Sequence, residues 1–257
     1  MLITMRSPIP ALFAISLMLS AGCIRAIASE APLNQLILEA KDELPEGGGY
    51  ATTGSANHHL NHAVSVSSDR LTVDASLATP SYCSEATYLV FLKALALLQA
   101  HRSLTLDPKT LGSLQPAGQP DGVGVWGRWN ANGPGTARLF RELGLGPNFT
   151  DLSQAKPGDF LKIFWNEGIG ASEHGHSVIF LGHDPKAETL TFWSSNIPGG
   201  YGTKTVSLHR IHRLLFSRLE HPESINRPLP RKDDYLSSLE HRSSTPSEMA
   251  DQCGILR

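Results

Sequence analysis

This chain is short of charge, of cysteine and of long apolar runs, and each shortage narrows what it can be. Only 18% of its residues are charged and the formal net charge is −2. No basic block stands out that would neutralise phosphates, which argues against a nucleic-acid partner. No internal repeat is present, which sets aside the stacked-repeat architectures. Past the N-terminal segment no stretch approaches the length needed to cross a bilayer, so no transmembrane segment is expected once that segment is removed. Histidines 58, 59 and 62 are the one cluster with metal-binding residue types. On a helix His58 and His62 would share a face. Their surroundings read as loop, however, and no third ligand of clear spacing follows, so no metal and no cofactor is expected.

With 257 residues, 40% of them hydrophobic, the chain can bury a good core in one domain. Its N-terminus has the form of a secretory signal over residues 1–28. Arg6 gives a positive start, residues 11–22 an apolar centre, and Ala26-Ile27-Ala28 a small-residue cleavage site before Ser29. Leu19-Ser20-Ala21-Gly22-Cys23 offers a competing lipid-attachment site, with its leucine one place too far from the cysteine. The mature protein is therefore expected to be exported, periplasmic or secreted. Two cysteines then remain, Cys83 and Cys253, and outside the cytoplasm a bond between them is the simple alternative to a reactive thiol.

The chain is organised around residues 77–99. From about Ser81 they run without glycine or proline, and from Ala86 to Leu98 only Thr87 and Lys93 interrupt the apolar residues. A helix apolar all round belongs in the core. Thr79-Pro80 and Ser81 offer cap and first-turn residues, and Glu85 complements the helix dipole. Cys83 falls in the first turn, where unpaired N–H groups stabilise an anion. That end lowers a thiol pKa by up to about 1.5 units from about 8.5, which is not enough alone. A histidine is required.

Around this helix, residues 29–76 read as an N-terminal helix and loop region, with Leu33, Leu36, Ile37, Ala40 and Leu44 at helical spacing and a short strand at Leu71 and Val73. Residues 104–132 are rich in glycine and proline and carry Trp126 and Trp129, which suit either a substrate groove or the core. Thr136 caps a short helix closed by Gly144. Asn148-Phe149-Thr150 is a glycosylation sequon, relevant only in a eukaryotic host. Strands follow at residues 155–165, 177–181, 189–194 and 203–208, joined by short turns as in an antiparallel meander. Residues 211–219 suggest a basic amphipathic helix, and residues 222–257 a disordered tail rich in proline, serine and charge.

Within residues 77–221 the order of motifs is informative: Cys83 in YCSEATYLVFL, then Lys156-Pro157-Gly158-Asp159-Phe160, then Gly175-His176-Ser177-Val178-Ile179-Phe180-Leu181-Gly182, then Asn196 in SSNIPGGYG. Over residues 77–210 this resembles the NlpC and CHAP group of papain-like cell-wall cysteine peptidases and amidases. The segment between the cysteine helix and Pro157 looks longer than usual for that group, and Glu85-Ala86 stand where it often has glycine. The resemblance implies an α+β papain-like fold, with the buried cysteine helix packed on an antiparallel sheet. It also implies amide hydrolysis, with Cys83 as nucleophile, His176 as base and Asn196 orienting the ring, on peptidoglycan or another peptide substrate. His174 shares the parity of His176 and is the reserve base; Ser194 shares the parity of Asn196 and is the alternative third member. The backbone N–H of Cys83 would serve the oxyanion. The residues alone assign no side-chain donor. The rival readings are a secreted binding or structural module with a Cys83–Cys253 disulfide, and a metal-dependent hydrolase built on the histidine cluster.

Overall fold

A computed structural model describes residues 33–255; the signal segment and Cys23 lie outside them. The N-terminal spacing forms helix α1 (Leu33–Asp42), burying Leu36, Ile37 and Ala40. After a two-residue strand β1 (Gly47–Gly48), the histidine-bearing segment is helical rather than loop: α2 (Gly54–Ala63) buries Ala56, Leu60 and Ala63, a stripe at helical spacing that outweighs polar composition. Strands β2 (Val64–Val66) and β3 (Leu71–Val73) form a small hairpin. The central helix α3 (Cys83–Ala100) starts two residues later than the sequence suggests, and is followed by α4 (Pro108–Ser113), α5 (Gly124–Asn130) and α6 (Gly135–Leu143). Gly144, at φ 70°, takes the left-handed turn that ends α6.

The remaining strands are β4 (Asn148–Phe149), β5 (Phe160–Phe164), β6 (Gly175–Asp184), β7 (Thr189–Asn196), β8 (Gly200–Ser207) and β9 (Arg213–Ser217). They join β1 in one antiparallel sheet of order β1-β8-β7-β6-β5-β9-β4, in which β5 to β8 are the expected meander. The fold is α+β, with helices against a large antiparallel sheet. Period-two alternation divides the strands between two cores. Phe160, Ile179 and Trp193 face α3, while Leu161, Val178, Phe180 and Phe192 build a second cluster on the opposite face. Although α3 is long and apolar enough to cross a membrane by composition, its length lies in the core of this domain.

Two expectations fail. Residues 211–219 are not a helix: 213–217 form β9, paired along β5. Leu214 and Phe216 pack on one face and Leu215 on the other, a strand alternation that the basic residues mask. Nor is the tail disordered over 222–255. It carries α7 (Asp234–Ser238) and α8 (Pro246–Cys253), and its polar groups serve Arg128 and Arg138 of the helical layer. Arg128, fully buried, pairs with Glu142 and donates to the carbonyl of Pro230 at 2.9 Å; Arg138 meets Asp233 at 2.7 Å. Polar composition thus hid groups that are consumed internally.

The Pro157-Gly158-Asp159 turn is a structural pin. Gly158 has φ 94°, and a Cβ there would sit 2.4 Å from the Asn34 carbonyl oxygen. Asp159, fully buried, accepts two guanidinium hydrogen bonds from Arg218 at 2.8 and 2.7 Å, and one from Asn34 at 2.9 Å. These tie the entry of β5 to the end of β9 and to α1. Removing one member of such a pair strands the other, at a cost of about 3–5 kcal/mol. Asp159→Ala should therefore lower the unfolding free energy by that amount, measured by urea titration; a loss under about 1 kcal/mol would show that the turn holds without its ion pair.

Candidate active site

The site lies where the N-terminus of α3 meets β6. Tyr82 caps the helix in extended conformation (φ −127°, ψ 175°) and Cys83 is the first helical residue, half-buried and with its own N–H unclaimed by any helical carbonyl. One turn along, the Thr87 hydroxyl lies 2.9 Å from Ser177 Oγ and accepts the Trp129 indole N–H at 3.1 Å. This fastens the helix beside β6, next to His176.

His176 stands one residue inside β6, its ring edge-on to Phe192 with centroids 5.5 Å apart. Ile179 lies opposite Trp193 in the β6–β7 ladder, so three steps back along β6 and three forward along β7 bring His176 opposite Asn196. His176 Nε2 and Asn196 Oδ1 are 3.2 Å apart. Asn196 Nδ2 donates to the carbonyls of Ser194 (3.0 Å) and Gly202 (2.8 Å), which fixes the amide with its oxygen towards the ring. Nε2 must then carry a proton, leaving Nδ1 as the basic nitrogen. Of the groups that lower the Cys83 thiol, the His176 imidazole acts most strongly.

Burial pushes that thiol up. The His176 hydrogen bond and charge, the Ser177 backbone N–H and the Lys162 ammonium outweigh it, bringing Cys83 down to about 7. The structure thus brings together Cys83, His176 and Asn196. His174 is exposed and precedes β6, with its backbone N–H on Asn166. Ser194 is buried and donates to the Ser177 carbonyl at 2.7 Å, away from the imidazole nitrogens.

Two site residues escape a reading of the sequence. Tyr50 follows three glycines with φ of 73°, 84° and 80°, which let the backbone pass beside Ser81: Ala51 N–H donates to the Ser81 carbonyl at 3.1 Å. A glycine triplet before a lone tyrosine is the signal, since close backbone approach demands it. The Tyr50 side chain lines the same cavity as Cys83, and burial, with the charges of Cys83 and Glu85, pushes its hydroxyl up to about 12, so it stays a donor. Lys162, on β5, is held by Glu173 at 2.6 Å; the Glu173 carboxylate also accepts the N–H groups of Gly133 and Gly170.

The other candidates lie elsewhere. Trp126 and Trp129 are buried among Tyr88, Phe91 and Phe140, although Trp129 also reaches the cavity over Cys83. His58 and His62 do share a helix face, rings 4.2 Å apart, and His62 Nδ1 lies 2.8 Å from the His58 carbonyl oxygen. Among the described residues no group of three metal-ligating side chains assembles. Cys253 is not bonded to Cys83: it ends α8, packed with Phe164, Ile169, Leu215 and Met249, where burial pushes its thiol up to about 12. Comparison with family models, curated proteins and solved structures gives no match.

Glu85 does not act as the expected dipole partner in ionised form. It is fully buried; although its carboxylate accepts the Tyr82 N–H at 3.2 Å, burial, with a smaller contribution from Cys83, pushes it up to about 8. It is neutral at pH 7 and leaves the neighbouring thiolate unopposed. A folded pKa raised above the ordinary 4.5 means that the native state binds the extra proton. The contribution to stability therefore falls as pH rises from about 4.5 to about 8. Glu85→Gln should remove that slope and gain on the order of 2 kcal/mol over the parent at pH 8 relative to pH 5. Thermal melts of both proteins across the range test this; parallel curves would place an ionised Glu85 in the native state.

Alkylation of Cys83 by iodoacetamide should rise with pH through a midpoint near 7, and His176→Ala should move the midpoint up by about one unit or more. A midpoint unmoved by that substitution would show that the imidazole does not hold the thiolate.

Proposed function

We propose that this protein is an exported cysteine hydrolase of amide bonds, with a papain-like arrangement in which Cys83 attacks, His176 moves the proton and Asn196 orients the imidazole. The single observation that carries the reading is the chain Cys83–His176–Asn196, in which the thiol is held low and the ring tautomer is fixed by a committed amide. The resemblance of residues 77–210 to NlpC and CHAP enzymes supports the same assignment and points to peptidoglycan stem peptides or the sugar–peptide amide as substrate.

The steps follow from the groups in place. The thiolate adds to the carbonyl carbon, and negative charge moves to its oxygen. The Cys83 N–H is available there, and the Tyr50 hydroxyl is a side-chain donor lining the same cavity. The His176 imidazolium gives its proton to the departing nitrogen, the C–N bond breaks, and a thioester remains. Water, losing a proton to His176 Nδ1, adds to the thioester and expels the thiolate. Each oxyanion donor in such a site contributes about 10²–10³ in rate.

Incubation of the mature protein with peptidoglycan, with released fragments identified by mass, should show new amine and carboxyl ends. Cys83→Ala should release none while melting at the parent's temperature, and Tyr50→Phe should lower kcat by about 10² with little change in KM. Undiminished turnover by Cys83→Ala would remove the thiolate mechanism.

A further inference from the structure

Three cavities meet along the cleft, and their charges run in one direction. The cavity over Cys83, about 430 Å³, shares Asp121 and Asn130 with a neighbour of about 420 Å³. It shares Tyr50, His174 and Gly175 with a third, about 390 Å³, that holds His176 and Asn196. The first neighbour is lined by two carboxylates, Asp121 and Glu240, and by no cationic residue. The third carries Lys204 and Arg210 and no carboxylate. Between them Lys162 and Glu173 neutralise each other at 2.6 Å.

Asp121, Lys204 and Arg210 have no oppositely charged partner at ion-pair distance among the described residues, and Glu240 has only the imidazole of His241, at 3.7 Å. Asp121 accepts the Asn130 amide at 2.9 Å, and Asn130 in turn accepts the Ser84 hydroxyl at 2.7 Å, so this carboxylate is braced against the residue after the nucleophile. Neither Asp121 nor Glu240 pairs with a lysine or arginine within 4.0 Å among the described residues, and neither Lys204 nor Arg210 pairs with a carboxylate. Burial, with Glu240 nearby, pushes the Asp121 carboxyl up, against the Asn130 amide and the more distant Lys162 ammonium. Lys204 lies opposite Phe192, the residue against the His176 ring.

The reaction orients a substrate in this field. His176 delivers its proton to the departing nitrogen, so the leaving portion occupies the His176 side and the acyl portion runs past Ser84 towards Asp121. We infer that the cleft selects a short dipolar peptide, with an ammonium group on the acyl portion seated at Asp121 and a carboxylate on the leaving portion seated at Lys204 and Arg210. This rests on the cysteine-hydrolase reading and adds to it the charge pattern of the substrate.

The test uses electrophiles that capture Cys83 in the mature protein at low ionic strength. In the first arm, an alanyl dipeptide vinyl sulfone with its amino group unblocked is compared with its N-acetyl form. In the second, a peptidyl acrylic acid is compared with its carboxamide. Second-order modification rates are read as ratios within each pair, so that a general change in thiol reactivity cancels. The parent should favour the unblocked amine by about tenfold, and Asp121→Asn should bring that ratio near one. Lys204→Ala with Arg210→Ala should lower the acid-to-amide ratio by about tenfold and leave the first ratio unmoved. Iodoacetamide separates the two levels of argument. If it fails to modify Cys83, the hydrolase reading falls and this inference with it. If it modifies Cys83 readily while both ratios are the same in parent and variants, the hydrolase reading stands and the dipolar substrate is refuted. A parent that favours the acetylated probe, lost in Asp121→Asn, would also overturn the inference.

Discussion

The hydrogen bond between Thr87 on α3 and Ser177 on β6 is the contact from which the site takes its dimensions. A nucleophile and a base on elements far apart in sequence become a pair only if their supports cannot slide. Thr87 lies one turn below Cys83 on the same helix face, and Ser177 adjoins His176, so fastening one pair of residues fixes the other. The clamp is itself braced: the Trp129 indole donates to the Thr87 hydroxyl and stacks on Phe91 with centroids 4.9 Å apart. The indole and the Thr87 hydroxyl are buried, so their hydrogen bond has little competition from water and would be costly to leave unmade. The long segment between the cysteine helix and the sheet is therefore part of the support for Cys83.

Electrostatics at the helix end are decided by competition. Burial opposes a thiolate at Cys83, and the helix terminus contributes at most a few kcal/mol against it. What tips the outcome is the His176 imidazole, together with the Ser177 N–H and the Lys162 ammonium. Burial works in favour of the same end at Glu85 by keeping that carboxyl protonated, so the nearest acidic side chain on α3 adds no repulsion. One desolvated environment thus holds a thiol and a carboxyl at opposite departures from their ordinary behaviour, because only the thiol has cationic partners.

The parts of this structure that repeat with a clear period could be read directly. Helix α3 declares itself by an unbroken apolar run, α1 by its spacing, and the meander by short turns between alternating strands. Failures occurred where polar residues carry internal work. The residues of β9 look like a basic helix because Arg213 and Arg218 mask the alternation of Leu214, Leu215 and Phe216. The histidines of α2 hide a small apolar stripe of Ala56, Leu60 and Ala63. The site was legible as order: a cysteine at a helix mouth, then a histidine at a strand start, then an asparagine one strand on. Tyr50 was not, because its approach to the sulfur depends on a backbone crossing between the glycine triplet and Ser81 that no local pattern describes. Whether Asn196 or Ser194 would meet the ring was open on alternation alone, since both share a face. Depth along the strand decides it: Asn196 is opposite His176, and Ser194 is spent on a backbone carbonyl.

The tail makes the same point on a larger scale, because a segment of solvating composition forms one wall of the cleft. Gly170 bridges to Ser243, Ala171 N–H donates to the Arg242 carbonyl at 3.1 Å, and the hydroxyls of Ser172 and Ser243 meet at 2.8 Å. These contacts hold the loop that presents Glu173 and His174 to the cavity over Cys83. Glu240, from the same segment, lines the carboxylate-bearing end. Arg242 meets Glu248 through two hydrogen bonds at 2.8 and 2.7 Å, closing the tail on itself. Loops that carry functional groups need a rigid scaffold behind them. Here the scaffold is supplied partly by residues whose own order depends on Arg128 and Arg138, two cations placed in the helical layer between α3 and β4. Arginine suits that task, since its planar fork meets several carbonyls and carboxylates at once and stays charged when buried. The polarity of the cleft and the fold of the tail are consequently one property: the chain that closes over Arg128 and Arg138 is the chain that brings Glu240 to Asp121.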